Sequence, residues 1–354
     1  MSFPLLKAIQ THPQDDDGPQ SRVLIWATDP QIADLLTAGL RHQGFVSFGT
    51  EATSVVGVFS RDLESLARCL SDLTEQEQQR TIKTLALDNE IPTLDDLSRI
   101  ETLESFIRHH SSRWLVRMLE QRRFKSQLQP IMTADGLNVH GYEFLLRGLR
   151  PDGTTISPLE MFSAASDSVM TALLDTAGRD SAVRTAARLG ISDKVFINVM
   201  PAAFSAARSS FVGTLDLIEA AGLAPENIVF EVVESEAVDD VSRLRGVVDF
   251  CRNAGYRIAL DDFGSGFNNL NMLIGLSPDY IKLDKSLIHR ITAEPAIWNI
   301  TANMIDAAKQ SNVLVIAEGV EDAKTARFLH TLGADFLQGY HFGRPCDAQL
   351  NMQP

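Results

Sequence analysis

The feature that most constrains this chain is a rhythm that begins after Lys125. Eight short β-rich runs follow one another: 126–132 (SQLQPIM), 139–147 (VHGYEFLLR), 194–200 (KVFINVM), 228–234 (IVFEVVE), 256–264 (YRIALDDFG), 279–285 (DYIKLDK), 312–320 (NVLVIAEGV) and 335–340 (DFLQGY). Amphipathic helical stretches separate most of them, for example 237–254 and 295–310. Strand-like runs joined by helical crossovers predict an α/β protein whose parallel strands close into a TIM-like (β/α)8 barrel. The first two runs are separated only by TADGLN, and Asp135-Gly136 is a hairpin signal. One strand is therefore expected to run antiparallel, which makes the barrel a modified one.

The polar residues inside these runs sit near their ends. Asn198 follows VFI, Glu231 follows IVF, Asp261 and Asp262 follow IAL, Lys282 follows DYI, Glu318 follows VIA and Gln338 follows DFL. In a β/α barrel the C-terminal strand ends converge on one face, where sites are built. A single acid at a strand end is adequately explained as a cap or an ion-pair partner, and structural polar clusters account for part of any such set. Six strand ends of this kind in one chain favour a functional site.

With Glu143 added, the oxygen donors Glu143, Asn198, Glu231, Asp261, Asp262 and Glu318 offer five carboxylates and one amide. Carboxylates gathered in one pocket repel one another unless cations neutralise them. Oxygen donors with no His or Cys cluster nearby suit Mg²⁺ or Mn²⁺. The eight histidines are dispersed; His140 and His341 lie nearest the site runs and are expected at the surface or behind the ligands. Adjacent Asp261 and Asp262 could serve two ions, and paired metals suit in-line attack on a phosphodiester. Lys282 could orient the attacking water, and Arg147 could hold a phosphate through parallel hydrogen bonds. Gly264 and Gly266 permit a tight loop directly after the two aspartates.

These residues together resemble the EAL domain, the cyclic di-GMP phosphodiesterase domain of bacterial signalling, from about Arg113 to Pro354. Gln129-Pro130-Ile131 matches the family's opening QPI. Glu143-Phe144-Leu145-Leu146-Arg147 matches the Glu-Ala-Leu name motif with its following arginine. Asn198 with Pro201 and Phe204, the pair Glu231 and Glu234, DDFGSGFNNL from Asp261, Lys282 with Asp284, EGVE from Glu318 to Glu321, and QGY from Gln338 complete the likeness. The resemblance implies metal-dependent hydrolysis of cyclic di-GMP to linear pGpG. It implies one ion on Glu143, Asn198, Glu231 and Asp261, and a second on Asp261, Asp262 and Glu318. Lys282 would assist the water as a catalytic residue alongside Glu143 and Glu318. Gln129, Leu146, Arg147, Gln338 and Tyr340 would contact substrate. Glu234 would anchor the loop containing Gly264, Ser265 and Gly266. A homodimer through this domain is implied as well. Phe144, Ser265 and Phe267 depart from the family pattern, and none of them is a ligand position.

Two other readings stay open at this point: a silent EAL domain that binds cyclic di-GMP or a protein without turnover, and an unrelated metal-dependent barrel such as an enolase-like lyase.

Residues 1–21, ending in the polar THPQDDDGPQS, are expected to be a flexible tail. The segment 22–112 is expected to be a small, largely helical accessory module of no assigned role. RVLIWA reads as a strand, and Asp29-Pro30 opens a helix that ends at Gly44. That start is similar to a receiver domain, but no later strand offers a phosphoacceptor aspartate. Thr93 and Asp96 form a capping-box pattern before Leu97, Ile100, Leu103 and Ile107.

A net charge of −14 argues against a nucleic-acid polymer or an anionic membrane as partner, though not against a small anion bound through metal. Cys69, Cys251 and Cys346 show no metal-site or redox spacing and fit reduced thiols of a cytoplasmic protein. No apolar run is long enough for a membrane span.

Overall fold

The computed structural model describes residues 21–27, 29–50, 54–87, 93, 95–165, 168–200, 208–233, 241–264 and 269–347. The chain forms two compact units, Met1–Glu120 with Ser163–Ser166, and Gln121–Phe162 with Asp167–Pro354. The expected tail lies almost wholly outside the described residues.

In the N-terminal unit, β1 (Ser21–Trp26), α1 (Pro30–His42), β2 (Val46–Thr50), β3 (Val55–Ser60), α2 (Leu63–Leu73), α3 (Gln76–Thr81), β4 (Lys83–Leu87), β5 (Glu101–Thr102), α4 (Leu103–Ser111) and α5 (Arg113–Glu120) follow in order. The sheet order is β2-β3-β1-β4-β5, with every pairing antiparallel. The first four strands and their helices thus make a split βαβ pair, which rules out the parallel sheet of a receiver. Among the described residues a five-stranded sheet forms the centre of this unit, with five helices beside it in the sequence order given. β2, β3 and β4 are short, and two of them contain glycine, so alternation is weak in the sequence.

Two local signals hold. The Asp29 side chain caps α1 by accepting from Gln31 N at 2.8 Å, and Gly44 turns the chain afterwards with φ of 84°. The helix expected from Thr93 does not form. Asp96 does accept from Thr93 N and Oγ1, at 2.8 and 2.7 Å, but only a 3₁₀ turn follows, at Asp96–Arg99. α4 then starts afresh with Thr102 as its cap. Leu97 and Ile100 are consequently exposed, while Leu103 and Phe106 enter a core with Leu36, Leu40, Leu66 and Leu70.

In the C-terminal unit all eight expected strands form: β6 (Phe124–Thr133), β7 (Val139–Leu149), β9 (Lys194–Val199), β10 (Ile228–Val233), β11 (Arg257–Phe263), β12 (Tyr280–Leu283), β13 (Leu314–Ala317) and β14 (Phe336–Gln338). Short strands β8 (Thr155–Ile156) and β15 (Cys346–Asp347) pair outside the ring. The ring closes as β6-β7-β9-β10-β11-β12-β13-β14 and back to β6. β6 is antiparallel to both neighbours, β7 and β14, and the other ring pairings are parallel. The hairpin signal was therefore sound: Thr133 N donates to Asn138 O at 2.8 Å across the turn, and Gly136 has φ of 74°.

Helices α6 (Pro158–Ala164), α7 (Ser168–Leu189), α8 (Arg208–Ala220), α9 (Val241–Asn253), α10 (Asn269–Leu276), α11 (Lys285–Arg290), α12 (Pro295–Gln310) and α13 (Ala323–Leu332) accompany the strands. Outward side chains such as Phe144, Ile197, Phe230, Leu260, Ile281 and Val315 form one core with apolar residues of these helices. Inward side chains form a second, smaller core of Ile131, Phe196, Val229, Ala259, Tyr280 and Ile316, with Phe336 packed against it. His140 is half-buried at this level, behind the polar residues. Its ring stacks on Phe336 at 3.7 Å and its Nε2 lies 3.2 Å from Tyr280 Oη. Burial, reinforced by the charge of Lys194, pulls its pKa down to about 4.

Candidate active site

Strand side chains at i and i+2 share a face. Two residues beyond Phe196, Val229, Ala259, Tyr280, Ile316 and Phe336 stand Asn198, Glu231, Asp261, Lys282, Glu318 and Gln338. On antiparallel β6 the step runs the other way, from Ile131 to Gln129, and β7 adds Glu143, paired in register with Gln129. Each of the eight barrel strands thus sends one polar residue into a single layer above the inner apolar core.

Lys282 is 1% exposed and stands among the acids of that layer. Its Nζ lies 2.7 Å from Glu318, 2.9 Å from Glu231, 3.2 Å from Asp261 and 3.4 Å from Glu143. Burial opposes its charge, but the surrounding carboxylates outweigh burial and push its pKa well above the ordinary lysine value. Burial likewise opposes ionisation of Glu143. The Lys282 ammonium and bonds donated by Gln338 Nε2 at 2.6 Å and Asn198 Nδ2 at 3.1 Å more than offset it, and its pKa falls below the usual carboxylate value. Glu231 is fully buried, and among the described residues the Lys282 ammonium, 2.9 Å from Oε1, is the one group within hydrogen-bond distance of its oxygens. Burial therefore dominates and raises its pKa well above normal despite Lys282. Burial also lifts Glu318, to about 8.

The strand ends are shaped to deliver these groups. Consecutive strand residues normally point to opposite faces, yet Asp261, Asp262 and Glu318 bring carboxylate oxygens within 4.8 Å of one another. The β11–β12 register breaks between Leu260 and Phe263, and Asp262 adopts a φ of 55°. This bulge turns the second aspartate to the side of the first. Asp is among the few residues that enter this backbone region readily. Burial and the neighbouring Asp261 raise the Asp262 pKa. Gly264 follows with φ of 106°, where a Cβ would lie 2.3 Å from Leu287 Cδ1, so only glycine fits.

Backbone bonds continue the ladder past the strands. Asp284 N donates to Phe263 O at 3.1 Å, Glu318 N to Leu283 O at 3.2 Å and Val320 N to Gln338 O at 3.0 Å.

The polar layer floors a cleft of about 390 Å³, whose walls include Leu145, Lys285, His289, Glu321 and Tyr340. Beside it lies an apolar groove of about 750 Å³, lined in part by Leu145, Leu146, Leu159, Phe162 and Met200 and bordered by Glu143, Asn198, Asp262 and Lys285.

The residues expected to touch substrate divide. Gln129 and Gln338 are buried in the floor of the cleft, where Gln338 donates to Gln129 at 3.2 Å and to Glu143 at 2.6 Å. Arg147 is half-buried, held by Gln127 Oε1 at 3.0 Å and Leu146 O at 2.9 Å. Leu146 points to the opposite face, over Gly178 of α7, and borders the groove. Tyr340 stands at the cleft edge with the Arg344 guanidinium 4.1 Å above its ring. Glu234, Ser265, Gly266, Pro201 and Phe204 lie outside the described residues.

Lys285, His289 and Arg344 were not anticipated, because exposed cations on short helices and loops carry no periodic signal. Asp284, noted only as part of a motif, caps α11 by accepting from Ser286 N at 2.9 Å.

The donor set fits a hard cation. Buried Glu231, which among the described residues faces Lys282 alone, and the oxygen cluster of Asp261, Asp262 and Glu318 suit such an ion.

Known proteins agree. The EAL domain profile matches residues 112–345. The signaling protein YkoW of Bacillus subtilis is 32% identical over 64% of this chain and 29% of its own length. The cyclic di-GMP phosphodiesterase PdeL of Escherichia coli K12 is 28% identical over 64% of each chain. The chain thus spans less than two-thirds of either relative. The crystal structure of a standalone versatile EAL protein from Vibrio cholerae O395, in a c-di-GMP-bound form, superposes with a TM-score of 0.57. It is 31% identical and covers 63% of this chain and 92% of that one. On the profile match and the layer that each barrel strand helps to build, this chain belongs to the EAL domain family.

Proposed function

We propose that the chain hydrolyses one phosphodiester bond of cyclic di-GMP to linear pGpG, using two Mg²⁺ or Mn²⁺ ions. The observation that carries this reading is the polar layer, in which four carboxylates surround a buried lysine and a fifth, Asp262, is turned to the side of Asp261. Glu143, Asn198, Glu231 and Asp261 would hold one ion, and Asp261, Asp262 and Glu318 the other. Bound there, the ions would lower the pKa of water and offset charge on the phosphoryl oxygens.

The chain's own groups would do the rest. Gln338 and Asn198 fix Glu143 by donating to different oxygens, which leaves the Asn198 carbonyl oxygen as a ligand. Lys282 would donate a hydrogen bond to the attacking water from a position already set by four acids. Arg147, with its plane fixed by Gln127 and Leu146, would take a phosphate. Water's hydroxyl would bond to phosphorus as the P–O3′ bond breaks. Its proton would end on O3′, giving a 5′-phosphate and a 3′-hydroxyl.

Incubation with cyclic di-GMP and Mn²⁺ or Mg²⁺, followed by product separation, tests the reading. pGpG is expected. Intact nucleotide in the presence of folded, metal-loaded protein would remove it, and tight binding without cleavage would move the chain to the receptor class.

The reading extends to a homodimer. Phe250 on α9 and Ile274 on α10 expose apolar surface on helices that pack together. A monomer in sedimentation at tens of micromolar would exclude it.

A further inference from the structure

Outside the polar layer, the most deeply buried charges of the barrel unit are Asp175 and Arg179 on α7. Asp175 is 5% exposed and Arg179 0%. The two form an ion pair one helical turn apart. Burial pulls the Arg179 pKa down to about 10, which still leaves the guanidinium charged at neutral pH. Its Nε donates to the buried Thr214 Oγ1 of α8 at 3.1 Å, and its charge lies 5.7 Å from the centre of the Phe211 ring.

A buried ion pair is seldom retained for stability alone, since apolar replacements of similar size often serve as well. What this pair adds is on the other side of Asp175. Its Oδ1 accepts from Met200 N at 2.9 Å. Met200 is the first residue past β9, whose ladder to β10 ends at Val199. Asn198 is two residues before it.

We propose that Asp175, held by Arg179, is a positioning residue that pins the end of β9 and so sets Asn198 for its ligand role. The proposal rests on the reading of the polar layer as a metal site. Asp175 also lines the groove that Asn198 borders, so the tether and the ligand share one wall. Residues that orient metal ligands typically change affinity by about 10–100-fold when removed.

Two double variants isolate the tether without stranding a buried charge. Asp175→Asn with Arg179→Met keeps an acceptor for Met200, whereas Asp175→Leu with Arg179→Met removes it. Hydrogen exchange of the Met200 amide and Mn²⁺ binding by calorimetry are measured for both. The first variant should keep amide protection and bind Mn²⁺ within about threefold of wild type. The second should lose protection and bind at least tenfold more weakly. If the leucine variant does not fold, Asp175→Ala in the intact Arg179 background replaces it with the same expectation.

Equal Mn²⁺ affinity in the two variants would overturn the proposal, as would lost protection with unchanged affinity. Wild-type protein that binds Mn²⁺ but leaves cyclic di-GMP intact would count against the proposed function alone. The exchange measurement needs neither metal nor substrate.

Discussion

Glu143 and Phe144 are neighbours with opposite surroundings. Glu143 points into the polar layer, and Phe144 points outward into the core with Ala182, Val183 and Ala186 of α7. The aromatic residue in the name motif is therefore packing. Phe144→Ala should cost about 3–5 kcal/mol in denaturant unfolding, with kcat for cyclic di-GMP changed little. Glu143→Ala should remove cleavage while the protein stays folded; near-normal turnover would contradict the assignment. Glu231→Gln separates charge from shape. It relieves a buried carboxylate that among the described residues faces Lys282 alone, so the metal-free protein should melt higher while Mn²⁺ affinity falls at least tenfold. A lower melting temperature would show that Lys282 needs this partner more than the burial argument allows. Most of the layer was legible in the sequence, because six of its members stand two residues after an inward apolar one at the end of a β-rich run. The hydrogen bonding within the layer was not legible, in which Gln338 donates to both Gln129 and Glu143. Which polar group meets substrate and which braces a neighbour depends on the stagger of strands around the ring.

At the scale of elements, the bulge in β11 decides whether two adjacent aspartates can act together. Asp262→Asn tolerates the same backbone and should unfold within about 0.5 kcal/mol of wild type. Asp262→Val should cost about 1–3 kcal/mol, because a β-branched residue resists φ of 55°. Equal stabilities in chemical denaturation would mean that the bulge is not held at this residue. The strands of the barrel were readable as β-rich runs, and the antiparallel β6 from Asp135-Gly136. The N-terminal sheet was not, since short strands such as VSFGT and VVGVFS look like loop sequence until they pair. Leu97 and Ile100 suited a helix by spacing, but a 3₁₀ turn and β5 interrupt it, and both residues face solvent.

For the whole molecule, metal, pH and stability should be linked. The Glu318 pKa is raised from 4.5 to about 8, so between those values the folded state holds a proton that the unfolded state has released. Metal-free stability should therefore fall as pH rises through that window. A cation that replaces the proton gains as the proton leaves. The rise in melting temperature on adding Mg²⁺ or Mn²⁺ should thus be larger at pH 8 than at pH 6. A rise that shrinks with pH would mean that Glu318 is not among the ligands.

If this layer directs water onto a phosphodiester of cyclic di-GMP, the oxygen of that water ends in the product. Cleavage in ¹⁸O-labelled water, followed by mass spectrometry, tests it most directly. The expected product is pGpG carrying one ¹⁸O on its new 5′-phosphate, formed with Mg²⁺ or Mn²⁺ and absent with chelator. Unlabelled product, or intact nucleotide with folded and metal-bound protein, would contradict it.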